Sequence, residues 1–212
     1  MTGTTLILFI LVLFLSIDVH EFSHAWVATA LGDKTAKRLG RLTLNPIAHL
    51  DPFGTVMILL ASLSGFGIGW GKPVPVNPYN MQLTPSVGMG LVAAAGPASN
   101  LIMAVMGGLL LKVVQPVEAL ALFLVIFVIV NIGLALFNLI PVFPLDGYRI
   151  LIGVLGAAKT NWTRNLASLW VKQEQWGPLM LLGIVLVNAY VPLLSWIIGP
   201  PTRFLQNIIF NL

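Results

Sequence analysis

Apolar residues run along this chain in long blocks rather than in alternation. Four blocks reach the roughly 20 residues that a membrane-crossing helix needs. They run from about Thr4 to Ala30, Val87 to Val113, Val117 to Ile140 and Gly177 to Ile198. Trp176 and Trp196 flank the last block as interfacial anchors. A fifth stretch, Thr55 to Trp70, is apolar but short and rich in Gly and Ser, so it predicts either a further span or a segment that enters the membrane and turns back. Two short alternating pieces, GRLTLNP (Gly40 to Pro46) and KPVPVNP (Lys72 to Pro78), predict strands, with irregular loop the even alternative. Proline confines the second to an edge. Ile150 to Leu155 and Thr202 to Leu212 predict interfacial helices. No repeat or low-complexity tract is present.

Composition sharpens this picture. Of 212 residues, 58% are hydrophobic and 8% charged, against about 25% charged in soluble domains. The mean hydropathy is +0.94. The expected fold class is therefore an all-α polytopic membrane protein: a three-helix core over about 4–149, extra C-terminal helices over about 150–212, a re-entrant segment and short β-strands. It is expected to form one membrane-embedded domain over 1–212. The apolar run at the N-terminus lacks a basic leader and a small-residue cleavage site, so it predicts a retained helix rather than a signal peptide. With no cysteine, disulfides and thiolate metal sites are excluded.

The formal charge of +4 reads as topology, not nucleic-acid affinity, because the basic residues cluster in loops. Lys34, Lys37, Arg38, Arg41 and Lys72 follow the first block, and Arg149, Lys159, Arg164 and Lys172 follow the third. If Thr55 to Trp70 is re-entrant, these nine share one side, and only Lys112 and Arg203 fall on the other. The positive-inside rule then favours an outside N-terminus and four spanning helices.

The chemistry sits inside the first block. DVHEFSHAW, Asp18 to Trp26, contains H-E-x-x-H at His20, Glu21 and His24. Residues four apart share a helix face, so both imidazoles can reach one zinc ion, with Glu21 beside them as a base for water. The plain alternative is a histidine pair hydrogen-bonded within a helix bundle. Ionisable groups in a membrane helix are costly and by default functional, which favours the metal. His20 lies 16 residues past Thr4; at about 1.5 Å per residue that is roughly 24 Å into a core about 30 Å thick. The motif is thus expected near the basic, cytoplasmic face.

A catalytic zinc usually takes three protein ligands. Asp18 is two residues from His20 and points away from the ligand face, and Glu118 is expected on the outer side. His49 and Asp51, in NPIAHLDPFG, read more simply as turn and capping residues. Asp146, in NLIPVFPLDG, follows two prolines that break the third helix at its inner end, at the depth of His24. Broken backbone at membrane depth is tolerated where it lines a cavity. In AAAGPASN, Ala93 to Asn100, small residues predict close helix packing, Pro97 a kink, and Asn100 a bond to a neighbouring helix.

The chain resembles the site-2 protease family of intramembrane zinc metalloproteases. HEFSH at His20 to His24, GPASN at Gly96 to Asn100 and NLIPVFPLDG at Asn138 to Gly147 carry the likeness, in the family's order. It spans about Thr4 to Arg149, and the PDZ or CBS modules frequent in the family are absent from it. TLNPIAHLDPFG and KPVPVN are similar to compact bacterial and archaeal members. The resemblance implies that His20, His24 and Asp146 bind Zn2+, that Glu21 is the base and that Asn138 lines the site, with an oxyanion or substrate-positioning role expected. It implies hydrolysis of peptide bonds within or near transmembrane segments of substrate proteins, in a prokaryotic cell membrane. Lipid bilayer and transmembrane substrates are the expected partners, and nucleic acid is not. The rival function is a zinc-binding transporter or channel, which the gathering of ionisable groups near one face disfavours.

Overall fold

The structure, a computed structural model, describes residues 3–64, 69–114, 117–158 and 160–211. Ten α-helices occur among them: α1 (Gly3–Ala30), α2 (Thr35–Arg38), α3 (Pro46–His49), α4 (Pro52–Ser64), α5 (Pro85–Val114), α6 (Glu118–Asn138), α7 (Asp146–Ala158), α8 (Asn161–Lys172), α9 (Gly177–Asn188) and α10 (Leu193–Asn211). Only α1, α5 and α6 are by themselves long and apolar enough to cross a membrane.

α5 is the central element and packs against α1, α6, α7 and α10. Its buried face repeats every four residues, through Gly88, Val92, Gly96, Asn100, Ala104 and Gly108. Mostly small side chains at that spacing clear a groove along one face, so neighbouring backbones approach closely. The Cβ of any residue replacing Gly90 would lie 2.8 Å from the Cα of Gly153 in α7. Ile209 of α10 fills the space over Gly108 and joins Ala104, Val128 and Ile132 in one cluster. Val12 of α1 meets Ile126 and Val130 of α6 in a second. The helix continues through Pro97, which is itself buried.

α1 ends where Gly32 adopts φ +112°, a conformation that favours glycine. The turn that follows is fastened by Asp33, which is fully buried. Its carboxylate accepts hydrogen bonds from Thr35 N at 3.0 Å and Thr35 Oγ1 at 2.5 Å. Asn77 N at 2.7 Å and Asn80 Nδ2 at 3.0 Å donate to it from across the chain. Burial alone would raise the pKa of this group, but the hydrogen bonds outweigh it and hold the carboxyl below its usual range. One side chain thus ties the end of α1 to the segment that leads into α5.

Between those points the chain makes a hairpin. Leu50 and Gly71 form an isolated antiparallel bridge, and Lys72 N donates to His49 O at 2.8 Å. Gly69 lies against Ile58, and Gly54 against Trp70, so the chain returns along α4. The 13 residues of α4 reach only about 20 Å at 1.5 Å each, too short to span. The two described arms have the geometry of a re-entrant loop; residues 65–68 lie outside the described residues.

Three expectations change. Gly40 to Pro46 and Lys72 to Pro78 form no strands among the described residues. Proline at positions 73 and 75 removes the donors that one edge of a ladder would use. The fourth block is not one spanning helix: α9 and α10 meet at 86°. Pro192 ends helical pairing there, and Asn188 Oδ1 accepts from Leu194 N at 2.9 Å to start the next helix. The interfacial helix expected over Thr202 to Leu212 is the second half of α10, seated on α5 and α6 rather than lying apart. Ile150 to Leu155 falls within α7, which is bound to α5 through the Gly90–Gly153 contact.

Gly90→Leu is expected to lower stability by about 1–3 kcal/mol, the usual cost of overpacking. Gly133→Ala, where a Cβ meets nothing within 4 Å, serves as the control; thermal unfolding in detergent compares them. Asp33→Ala should cost about 1–3 kcal/mol at neutral pH, the range for a buried acceptor lost. Because its folded pKa is depressed, Asp33 contributes above its unfolded value of about 3.9. The gap between wild type and variant should shrink as pH falls through the folded value. A gap that stays constant down to pH of about 2 would show that the carboxylate charge is not what holds the turn.

Candidate metal centre

α1 and α5 run antiparallel at the centre of the bundle, so two four-residue repeats come into register. His20 faces Asn100, and His24 faces Val92. Gly96 lies between them: a Cβ there would sit 2.5 Å from His20 Nε2 and 2.6 Å from His24 Cε1. The imidazoles are edge to face, with centroids 4.6 Å apart. Asp146, first residue of α7, arrives from the loop after α6. Its Oδ2 lies 3.0 Å from His20 Nε2 and its Oδ1 3.4 Å from His24 Nε2.

Hydrogen bonding sets which ring nitrogens face inward. Val92 O can only accept, so His24 Nδ1–H donates to it, at 2.7 Å. His20 Nδ1–H donates to Asn100 Oδ1 at 2.6 Å. In the neutral rings both Nε2 atoms therefore present bare lone pairs, and they point at a carboxylate that also only accepts. Asp146 Oδ2 is buried and has no hydrogen-bond partner. Acceptors turned on one another in a buried site call for a cation. The three candidate ligand atoms lie within 4.8 Å of one another, and two imidazoles with one carboxylate suit a catalytic zinc. The residues present fit the metal.

The cluster opens onto a cavity of about 520 Å³. Glu21 lines it, and its Oε2 accepts Val74 N–H at 3.2 Å. The returning arm of the hairpin thus lies against the carboxylate expected to act as base. Phe137, Phe143 and Leu181 supply apolar wall, and Arg149 lines the same space. Asn138 lines it too, but its Nδ2 donates to Leu134 O at 2.9 Å, which leaves one amide N–H for anything else.

The other candidates lie apart from this cluster. Asp51 Oδ1 accepts from Gly54 N at 2.7 Å at the start of α4. His49 is buried, donates from Nε2 to Thr43 O at 2.8 Å and approaches Asp18 at 3.7 Å. Glu118 is at the far end of α6. Sequence reasoning expected Asn100 to bond a neighbouring helix but did not connect it with His20. The available signal was the shared spacing of four in Val92, Gly96 and Asn100 and in His20 and His24. Neither the Val92 carbonyl nor Glu21's contact with Val74 had any signal, since backbone partners carry no residue code.

Residues 114–173 match the family model described as Peptidase family M50; the match holds Asn138 and Asp146 but not the histidines. The chain is 47% identical over 151 residues to "Putative zinc metalloprotease YwhC" of Bacillus subtilis (strain 168), covering 67% of this chain and 66% of that one. It is 29% identical over 179 residues to "Putative zinc metalloprotease Rip2" of Mycolicibacterium smegmatis, covering 82% and 65%. With "Putative zinc metalloprotease Rip2" of Mycobacterium tuberculosis (strain ATCC 25618 / H37Rv) the identity is 33% over 144 residues, covering 64% and 52%. The chain thus spans between about half and just under two thirds of these relatives' lengths. No solved structure matches it.

Gly96→Ala is expected to push the imidazoles off their common point and weaken binding of a divalent cation by tenfold or more, on the scale of about 10–100-fold seen when ligand orientation is lost. Competition with a chelating dye in detergent measures it. Unchanged affinity would show that the rings are not held by the α5 surface.

Proposed function

The chain belongs to peptidase family M50, the site-2 protease family, and from that premise we propose that it is an intramembrane zinc metalloprotease, hydrolysing peptide bonds within or near transmembrane segments of other proteins. The observation that carries the proposal is the buried His20–His24–Asp146 cluster, whose lone pairs converge on one point. The protein is an integral, multi-pass membrane protein.

In this reading His20, His24 and Asp146 hold Zn2+. When bound, zinc acidifies water and polarises a carbonyl. Glu21, one residue from His20 and open to the cavity, takes a proton from the attacking water. As the C–O bond forms and the C–N bond breaks, Glu21 returns that proton to the leaving amine, which balances the hydrolysis. Asn138 stabilises the developing oxyanion or positions substrate with the amide N–H that Leu134 does not use. The apolar walls of the cavity suit the side chains of a membrane-derived substrate.

A transmembrane helix hides its peptide bonds, so substrate must unwind before it reaches Glu21. The arm at Lys72 to Pro78 is read as holding substrate by strand addition, beside the Val74 N–H that contacts the base. The basic residues after α1 and α6 support a site near the cytoplasmic face, and a prokaryotic cell membrane belongs to the same reading. The three spans with the helices that follow act as one catalytic unit over 1–212.

Glu21→Gln should keep zinc, since it leaves every ligand in place, and should lower cleavage by at least 10²–10⁴-fold, the usual worth of a general base. It should also retain uncleaved substrate. The assay is cleavage of a membrane-embedded test protein, with zinc quantified in the same samples. Substantial cleavage by a zinc-loaded Glu21→Gln protein would overturn the mechanism.

A further inference from the structure

Asn131 is none of the residues assigned above to zinc or to catalysis, yet it is completely buried in the middle of α6. An amide in a spanning helix is costly unless both its ends are satisfied. Both are. Its Nδ2 donates to Phe127 O at 2.9 Å, and its Oδ1 accepts from Asn100 Nδ2 at 2.8 Å. Asn100 is fully buried as well, and its Oδ1 accepts from His20 Nδ1 at 2.6 Å.

This chain of bonds has a direction. Phe127 O is a backbone carbonyl and can only accept, so Asn131 must turn its NH2 toward it. Its carbonyl oxygen then faces Asn100, which must answer with its own NH2. That leaves Asn100 Oδ1 toward His20, whose Nδ1 must carry the proton. The polarity of one carbonyl on α6 is thus relayed through two amides to the ring on α1, and Nε2 is left with a free lone pair. Ser16 O supports the same orientation of Asn100, but at 3.3 Å, a longer contact.

We infer that Asn131 is a positioning residue for the metal: acting through Asn100, it selects the His20 tautomer whose Nε2 can bind zinc. The inference rests on the function proposed above and deepens it. A purely packing role for Asn131, as a polar bridge between α5 and α6, predicts lower stability of the variants but unchanged metal affinity.

The experiment measures zinc affinity by chelator competition in detergent, with apo thermal unfolding as a fold check. Asn100→Leu should weaken binding about 10–100-fold, as loss of a ligand's outer partner does. Asn131→Leu should weaken it about tenfold, because Ser16 O still holds Asn100 in part. The deciding comparison is Asn131→Leu in an Asn100→Asp background. A carboxylate accepts from His20 whichever way it turns, so orientation no longer matters and the penalty of Asn131→Leu should disappear. The same penalty in both backgrounds, or wild-type affinity in Asn131→Leu, overturns the relay. Should Asn100→Asp not fold, ring 15N shifts of His20 in apo Asn131→Leu decide: a mixture of tautomers supports the relay, and an unchanged Nδ1-protonated ring overturns it. If wild type binds no zinc, the proposed function falls and the relay with it; if it binds and Asn131→Leu binds equally, only the relay falls.

Discussion

Two imidazoles and a carboxylate are held inside a helix bundle with their lone pairs turned on one another, and that repulsive arrangement is what the surrounding structure is built to sustain. Left to relax, any of the three would rotate toward a donor. They do not, because each imidazole is fastened from behind, His24 by Val92 O and His20 by Asn100. Asp146 is delivered from a loop pinned on its outer side, where Trp170 Nε1 donates to Pro141 O and Gly177 packs against Phe143. In the proposed function, a cation at their meeting point offsets the cost of holding such groups out of water.

That requirement explains α5. A helix carrying large side chains would keep α1 at a normal interaxial distance and leave the histidines without partners on their outer side. The small residues at every fourth position bring the α5 backbone close enough for its carbonyl at Val92 to act as a ligand-orienting group. The same stripe admits α7 at Gly90 and α10 at Gly108. One face thus serves two ends: it assembles the bundle and it aims the imidazoles. A substitution there would alter metal affinity and stability together.

The hairpin of α4 and the returning arm plays a different part. It adds no residue to the metal cluster, but it lays the backbone of Val74 against Glu21. Its base is closed by the Leu50–Gly71 bridge and by Arg41 Nη2 donating to Lys72 O at 2.6 Å. The arm is held at Lys72, at Val74 and at Asn77, and it is the segment proposed to meet an incoming extended chain.

How much of this was readable in the residues follows from what each feature depends on. H-E-x-x-H is a local pattern: helix geometry alone puts His20 and His24 on one face, and the lipid setting alone makes them significant. The apolar blocks of α1, α5 and α6 were equally plain, because the length of a span follows from membrane thickness. The two prolines before Asp146 marked the break between α6 and α7. But the approach of Asp146 to within 3.4 Å of both rings joins positions more than 120 apart in sequence, which no local pattern specifies. The strands expected over Gly40 to Pro46 and Lys72 to Pro78 failed because alternation describes the faces of an extended chain, not whether a neighbour pairs with it. The fourth block is broken rather than one helix because hydropathy does not register that Asn188 and Pro192 turn the chain between α9 and α10. The chemistry of the site was therefore written in residue types and spacing. Its tautomers, the contact of Asp146 with both rings and the backbone laid against Glu21 come from long-range packing, which is set by the shapes of distant surfaces meeting.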